Sequence, residues 1–273
     1  MIDWKEIKAQ IDSAENIVIT SHQSPDGDAV GSSLGLLHYL RKKGKSPEVI
    51  LPDMAPSFIA WLPGFNDINY FDKQRASCEE LISNADLIFV LDYNDLKRVG
   101  EMGGKIEGSN AKVIMIDHHL HPKDFADFMY SDTSIASTCE LIYFSIEKME
   151  EIEMLDLDIA TCLYLGIVTD TGSFRFSSVG SHTHRIAAHF IDLGLKQSEI
   201  HERVFDVNPI NRLKLLGFVL NNRLEVLDGI PVALVSLSKK DLVPFDVKKG
   251  YTEGIVNYAL SICLLYTSDA ADD

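Results

Sequence analysis

The chain has 273 residues, with 41 acidic against 25 basic side chains and a formal net charge of −16 at pH 7. So large an acidic excess, without any run of Lys or Arg, excludes a protein that holds a long nucleic-acid duplex by neutralising its phosphates. Apolar residues make up 46% of the chain, which excludes disorder and leaves room for one large domain, or one domain with a smaller partner.

Met1 to Gln10 mixes Lys with acidic residues and leads into no apolar segment of the signal-peptide kind, so export is not expected. Asn16 to Ser21 reads as a short β-branched strand. Gly27 to Lys43 then has helical spacing, with Leu34, Leu37 and Leu40 on one side and Arg41 to Lys43 closing the last turn before Gly44. Pro47 to Leu51 predicts a strand, Ala76 to Ser83 a short helix, and Asp86 to Asp92 and Lys112 to Asp117 two buried strands. Continuous apolar runs such as LIFVL and VIMI suit strands covered on both faces, so the fold class expected is α/β, with a mainly parallel sheet flanked by helices.

After Ser131 the periodicity turns helical over Ser137 to Met149, Asp158 to Thr169, His182 to Leu193 and Ile210 to Leu220. Arg223 to Leu227 and Ile230 to Leu237, joined by Asp228-Gly229, predict a β-hairpin with a tight turn. Lys239 to Gly250 reads as a surface connection and Glu253 to Ser261 as a helix. No stretch reaches the ~18 apolar residues of a membrane span. Cys78, Cys139, Cys162 and Cys263 form no CxxC pair and read as reduced thiols in a cytoplasmic protein.

Chemistry concentrates where the strands end. His22-Gln-Ser-Pro-Asp26-Gly-Asp28 follows the first strand, Asp92 ends LIFVL, and Asp117-His118-His119 ends VIMI. Taken alone, the PDGD stretch is also ordinary composition for a turn and helix cap. In an open parallel sheet, however, the carboxyl ends of neighbouring strands share one crevice, which brings His22, Asp26, Asp28, Asp92 and His118 within reach of one another. Asp170 adds a fourth carboxylate where an apolar helix runs into a Gly-containing turn. Four bare carboxylates packed together oppose ionisation, and two divalent cations would neutralise them. Oxygen and imidazole donors without thiolate suit Mn²⁺ best, with Mg²⁺, Co²⁺ or Zn²⁺ as substitutes.

HxxPDGDAxGS, the Asp ending the strand in VLDYND, DHH and TDTGSFRFSS, in this order, resemble the four motifs of the DHH phosphoesterase superfamily, in its DHH/DHHA1 branch of oligoribonucleases. The resemblance covers essentially residues 1 to 262. It implies that His22 and Asp26 bind one Mn²⁺ and Asp28, His118 and Asp170 a second, with Asp92 bridging. It also implies that His119 contacts the scissile phosphate or assists proton transfer, and that Asp117 orients the DHH loop. Arg175 is placed to pair with substrate phosphate; the alternative is a surface ion pair. Ser137 and Thr138 read as helix caps, and His182 and His184 as residues of a helix start.

The expected domains are a catalytic DHH domain over 1–195, a helical linker over 196–222 and the start of a smaller α/β DHHA1 domain over 223–262. Residues 263–273 resemble a translated sequencing adapter and are expected to be non-native. The glycine-rich, histidine-containing stretch of the DHHA1 domain does not occur in this sequence. The activity implied is Mn²⁺-dependent hydrolysis of short RNA oligonucleotides or of 3'-phosphoadenosine 5'-phosphate. A cyclic-dinucleotide phosphodiesterase is the alternative enzyme, and a nucleotide-binding regulatory module the alternative outside enzymes. The partners expected are short single-stranded RNA or a small nucleotide, without membrane or long duplex. A homodimer is compatible with the sequence.

Overall fold

The computed structural model describes residues 2–247, 251–252 and 254–262; the adapter-like tail lies outside the described residues. The elements run in the order α1 (Trp4–Ser13), β1 (Ile17–Thr20), α2 (Gly27–Lys42), β2 (Glu48–Leu51), β3 (Ile68–Tyr70), α3 (Arg75–Ser83), β4 (Leu87–Leu91) and α4 (Glu101–Glu107). Then come β5 (Lys112–Asp117), β6 (Phe128–Ser131), α5 (Thr138–Lys148), α6 (Leu157–Asp170), α7 (Ser181–Asp192), α8 (Gln197–Phe205) and α9 (Ile210–Asn222). The last described elements are β7 (Leu224–Val226), β8 (Ala233–Val235), α10 (Lys239–Leu242) and α11 (Ile255–Leu260). No described helix is long and apolar enough to cross a membrane.

The chain divides into two compact units between Val204 and Phe205. The first is a six-stranded sheet in the order β3-β2-β1-β4-β5-β6, with every pairing parallel. From β1 the chain winds outward through β2 to β3, then crosses to β4 and winds the other way through β5 to β6. The switch point therefore lies between β1 and β4, where an open α/β sheet leaves its crevice. Alternate side chains enter two cores. Ile17, Ile19, Phe89, Leu91, Ile114 and Ile116 pack under α1, α2, α5, α6 and α7, while Val18, Ile88, Val90, Val113 and Met115 pack under α3 and α4. Burial on both faces accounts for the unbroken apolar runs in these strands.

Helices α2 and α6 approach closely because of small residues. A Cβ on Gly27 would stand 2.3 Å from the Thr169 hydroxyl, one on Gly31 2.5 Å from the Cys162 carbonyl oxygen, and one on Gly35 2.5 Å from a Leu163 methyl. Glycine at every fourth position gives α2 one flat face against α6. That contact brings the start of α2, with Asp26 and Asp28, against the end of α6, with Asp170.

The strands and helices expected from the sequence are present, with ends shifted by up to three residues. Helix α1 was not foreseen, although Asp3 caps it by accepting from the Lys5 amide and Ile7 and Ile11 are buried at helical spacing. The edge strands β3 and β6 and the glycine-containing α4 carry too few apolar residues for a periodic signal. In the second unit the hairpin turn is wider than expected: the Leu227 amide donates to the Val232 carbonyl, and strand pairing begins at Val226 and Ala233. Pro231 has no N–H to give, so the ladder cannot close directly on Asp228-Gly229. Part of the expected surface connection is helical, as α10 and a 3₁₀ turn over Val243–Phe245. Leu215, Val219 and Ile255 form a small core in this unit. Of the stretch 196–222, α8 packs on the first unit through Ile200, while α9 belongs to the core of the second.

Candidate metal centre

Three loops and one helix end deliver the polar side chains. The loop after β1 carries His22, and Asp26 caps α2, with one carboxylate oxygen accepting from the amides of Asp28 and Ala29. The loop is fixed from outside, since the Gln23 amide donates to the Arg98 carbonyl and the Ser24 amide to the Asp53 carboxylate. Asp92 follows β4 with φ +64, a left-handed conformation uncommon for a residue with a side chain. Asp117 ends β5 and leads into His118 and His119, while Asp170 is the last residue of α6.

The six residues expected to ligate metal fall into two groups that meet at Asp92. His22, Asp26 and Asp92 offer one donor atom each within 4.8 Å of one another, and so do Asp28, His118 and Asp170; a third such set, Asp92, His118 and His119, links the two. The Nε2 of His22 lies 3.3 Å from Oδ2 of Asp92 and 3.9 Å from Oδ1 of Asp26. On the other side, the Nε2 of His118 lies 3.4 Å from Oδ1 of Asp92, 3.3 Å from Oδ2 of Asp170 and 3.8 Å from Oδ2 of Asp28. Asp92 thus turns one oxygen to each group. His22 Nδ1 is 2.7 Å from the Gln23 carbonyl and donates to it, which leaves Nε2 as the ring nitrogen directed at the cluster.

Asp28 is wholly buried, and both its oxygens are held by the start of α5. The Thr138 amide donates to Oδ2 at 2.6 Å and the Cys139 amide to Oδ1 at 2.9 Å. Ser137 caps this helix and Glu140 stands three residues on, the S-x-x-E pattern of a helix start. Thr138 does more than begin a helix: its hydroxyl donates to Oδ1 of Asp92 at 2.9 Å. The sequence showed the cap but gave no sign that these amides and this hydroxyl reach the aspartates of two other loops.

Asp117 is buried and accepts twice from His119, from the amide at 2.9 Å and from Nδ1 at 2.7 Å. His119 Nδ1 also lies 3.7 Å from Asp92, but its commitment to Asp117 makes a ligand role poor and leaves Nε2 for other chemistry. Asn94 steadies the same loop by donating to the Leu120 carbonyl. The side chain of Arg175 is exposed and makes no hydrogen bond or ion pair among the described residues, so the structure does not join it to the cluster. It sits in a turn where Gly172, Ser173 and Phe174 all have positive φ. His182 lies in the first turn of α7, as expected; its Nε2 is 3.6 Å from the buried Glu140 and outside both groups.

Burial and mutual charge set the electrostatics of the cluster. Burial pushes the carboxyl of Asp28 up to about 8, with the charge of Asp92 adding to the effect. Burial likewise raises Asp170, reinforced by Asp28 and Asp92. Burial opposes the charged form of Asp92 as well, but hydrogen bonds and charge from His118 and His22 outweigh it and hold this carboxyl below its ordinary range. Burial alone would lower both imidazoles; Asp92 overrides it, raising His22 to about 9 and, together with Asp28 and Asp170, His118 to about 10. Four carboxylates and two imidazoles with converging donor atoms and no thiolate fit hard or borderline divalent cations. Cys139, beside Asp28, is pushed up by burial and donates its thiol toward the Asp28 carbonyl, so it offers no sulfur ligand.

Known proteins share this arrangement of sequence. A protein from Thermus thermophilus described as a bifunctional oligoribonuclease and PAP phosphatase NrnA is 35% identical over 205 residues, covering 75% of this chain and 58% of that protein. Its Bacillus subtilis counterpart is 27% identical, covering 91% of this chain and 71% of its own length. The chain thus spans little more than half the length of the Thermus relative. A crystal structure of an exopolyphosphatase-related protein from Bacteroides fragilis superposes with a TM-score of 0.93 at 39% identity, covering 96% of this chain and 77% of that one. The description "DHH family, N-terminal domain" matches residues 16–167, a span that contains His22, Asp26, Asp28, Asp92 and the Asp117-His118-His119 triplet. With more than half of its length matched by that description and its motifs gathered at the sheet's switch point, the chain belongs to the DHH family.

Proposed function

We propose that this protein is a manganese-dependent phosphoesterase that hydrolyses short RNA oligonucleotides and 3'-phosphoadenosine 5'-phosphate. One observation carries the reading: two donor groups share the single carboxylate of Asp92, which offers a different oxygen to each. In this reading His22 and Asp26 would hold one ion, Asp28, His118 and Asp170 the other, and Asp92 would serve both. Two divalent cations bound in this way supply an activated water and a clamp for the phosphoryl oxygens.

The remaining work falls to the chain's own groups. Asp117 fixes the ring of His119 through Nδ1, and in its doubly protonated form this ring would give its Nε2 proton to the departing oxygen. Arg175, exposed and without an acidic partner among the described residues, pairs with a substrate phosphate in bidentate fashion. A net charge of −16 is compatible with this substrate, because a few nucleotides need one metal centre and local cations rather than a basic surface. The three described cysteines are free and buried, which suits a cytoplasmic enzyme. Residues from the hairpin onward belong, in this reading, to the beginning of a DHHA1 substrate domain.

The names of the Thermus and Bacillus relatives support the substrate class. Cyclic-dinucleotide hydrolysis is the second reading, supported by 27% identity to a Bacillus subtilis protein described as cyclic-di-AMP phosphodiesterase GdpP, of which this chain covers 37%. A panel of short RNA, 3'-phosphoadenosine 5'-phosphate, pApA and cyclic di-AMP, each with Mn²⁺, separates the readings. Turnover of the first two substrates ahead of cyclic di-AMP is expected. Preference for cyclic di-AMP, or hydrolysis unaffected by chelation of metal, contradicts the proposal.

A further inference from the structure

Thr138 is wholly buried and lies on none of the loops that carry the family's motifs, yet it touches both aspartates at the centre of the cluster. Its amide donates to Oδ2 of Asp28 and its hydroxyl to Oδ1 of Asp92. The Asp92 contact is the more consequential. A carboxylate shared between two cations must hold its plane so that each oxygen faces a different ion, and rotation about the Cβ–Cγ bond of Asp by itself is broad. Here Oδ2 faces His22, while Oδ1 faces His118 and receives the Thr138 hydroxyl.

We propose that Thr138 is a positioning residue that sets the plane of the Asp92 carboxylate and so divides its two oxygens between the two cations. The inference rests on the two-cation reading above. It assigns to the first residue of α5 a part in metal binding beyond starting a helix. Because the amide contact to Asp28 survives any substitution except proline, the role of the hydroxyl can be isolated. Groups that orient metal ligands through hydrogen bonds typically change affinity by about 10–100-fold when removed.

Calorimetric titration of the full chain with Mn²⁺ tests this in the wild type, Thr138→Val and Thr138→Ser, with melting of each metal-free protein as the check on folding. Thr138→Val, which keeps the shape and loses the donor, is expected to bind Mn²⁺ at least about tenfold more weakly. Thr138→Ser, which keeps the hydroxyl, is expected to match the wild type. Electron paramagnetic resonance of the loaded proteins gives a second readout: spin coupling between two Mn²⁺ ions is expected in wild type and Ser and weakened in Val, an effect that loss of stability alone does not produce. If Thr138→Val fails to fold, Thr138→Ala carries the same expectation. Equal affinity and coupling in wild type and the variant lacking the hydroxyl overturn the proposal and leave the metal centre standing, as does a Ser variant as weak as Val. A wild type that binds no Mn²⁺ overturns the metal reading and this inference with it.

Discussion

At Asp92 the backbone takes φ +64 while its amide donates to the Ile116 carbonyl, so neighbouring β5 helps to hold a conformation that costs about 1 kcal/mol or more for a residue with a Cβ. The strain sits where β4 turns away and its last carboxylate must point into the crevice. Asp117 is a different kind of acid, wholly buried and engaged by His119 through two hydrogen bonds. In the proposed reading its part is to aim an imidazole rather than to bind metal. Asp117→Asn is therefore expected to lower kcat about 10²-fold, the scale of an impaired general acid, while Mn²⁺ affinity stays within about twofold of wild type. Steady-state kinetics beside calorimetry check this, and a loss of Mn²⁺ binding as large as the loss of rate would make Asp117 part of the metal cage instead.

The packing of α2 on α6 explains how residues 142 positions apart in sequence come to share one site, as Asp28 and Asp170 do. Gly31→Ala would place a methyl 2.5 Å from the Cys162 carbonyl oxygen, a backbone atom that cannot move alone. The helices must separate, at a cost of about 1–3 kcal/mol, and Asp170 would move with α6. Lower thermal stability together with weaker Mn²⁺ binding is the expected outcome; a variant with unchanged melting and unchanged affinity would show that the close approach is not needed.

This packing marks the limit of what the sequence revealed at the level of elements. Strands β1, β4 and β5 were legible because burial on both faces leaves uninterrupted apolar runs, and their terminal His and Asp residues announced the site. The Gly27, Gly31 and Gly35 spacing was open to view, but its use depends on α6 supplying a small-residue face, which only the fold brings opposite. Thr138 and Cys139 were hidden for a related reason. A helix cap has the same sequence signature whether its spare amides meet water or an aspartate more than a hundred residues away. Strands β3 and β6 are half-buried edge strands of mixed composition, without the unbroken apolar run that marks β1 at a similar length.

Across the whole first unit, a second polar cluster ties the early helices to the turn after α5. Glu151 accepts from the amines of Lys43 at 2.8 Å and Lys8 at 2.7 Å and from the hydroxyl of Tyr39, joining α1 and α2 to that turn. Burial works to raise the Glu151 carboxyl, but hydrogen bonds from Lys43, Lys8 and Tyr39 outweigh it and bring it down from its ordinary 4.5 to about 2. A depressed carboxyl stabilises the fold above its ordinary value, and the contribution is lost as pH falls from 4.5 through about 2. Glu151→Gln removes one of the two carboxylates on the Lys43 amine, which keeps Asp12 at 3.1 Å, and is expected to cost about 1.5–3 kcal/mol at pH 7. Urea unfolding should show that deficit at neutral pH and a much smaller one near pH 2.5. A difference that is constant with pH would remove the ion pairs from the account.

The metal centre itself is tested most directly by counting Mn²⁺ ions bound per chain in the wild type and in Asp92→Ala. Two donor groups that share one carboxylate predict two ions in the wild type, and marked weakening of both, with loss of hydrolysis, when that carboxylate is removed. A wild type that binds one ion or none, or an Asp92→Ala variant that keeps two ions and its activity, would contradict the two-cation site.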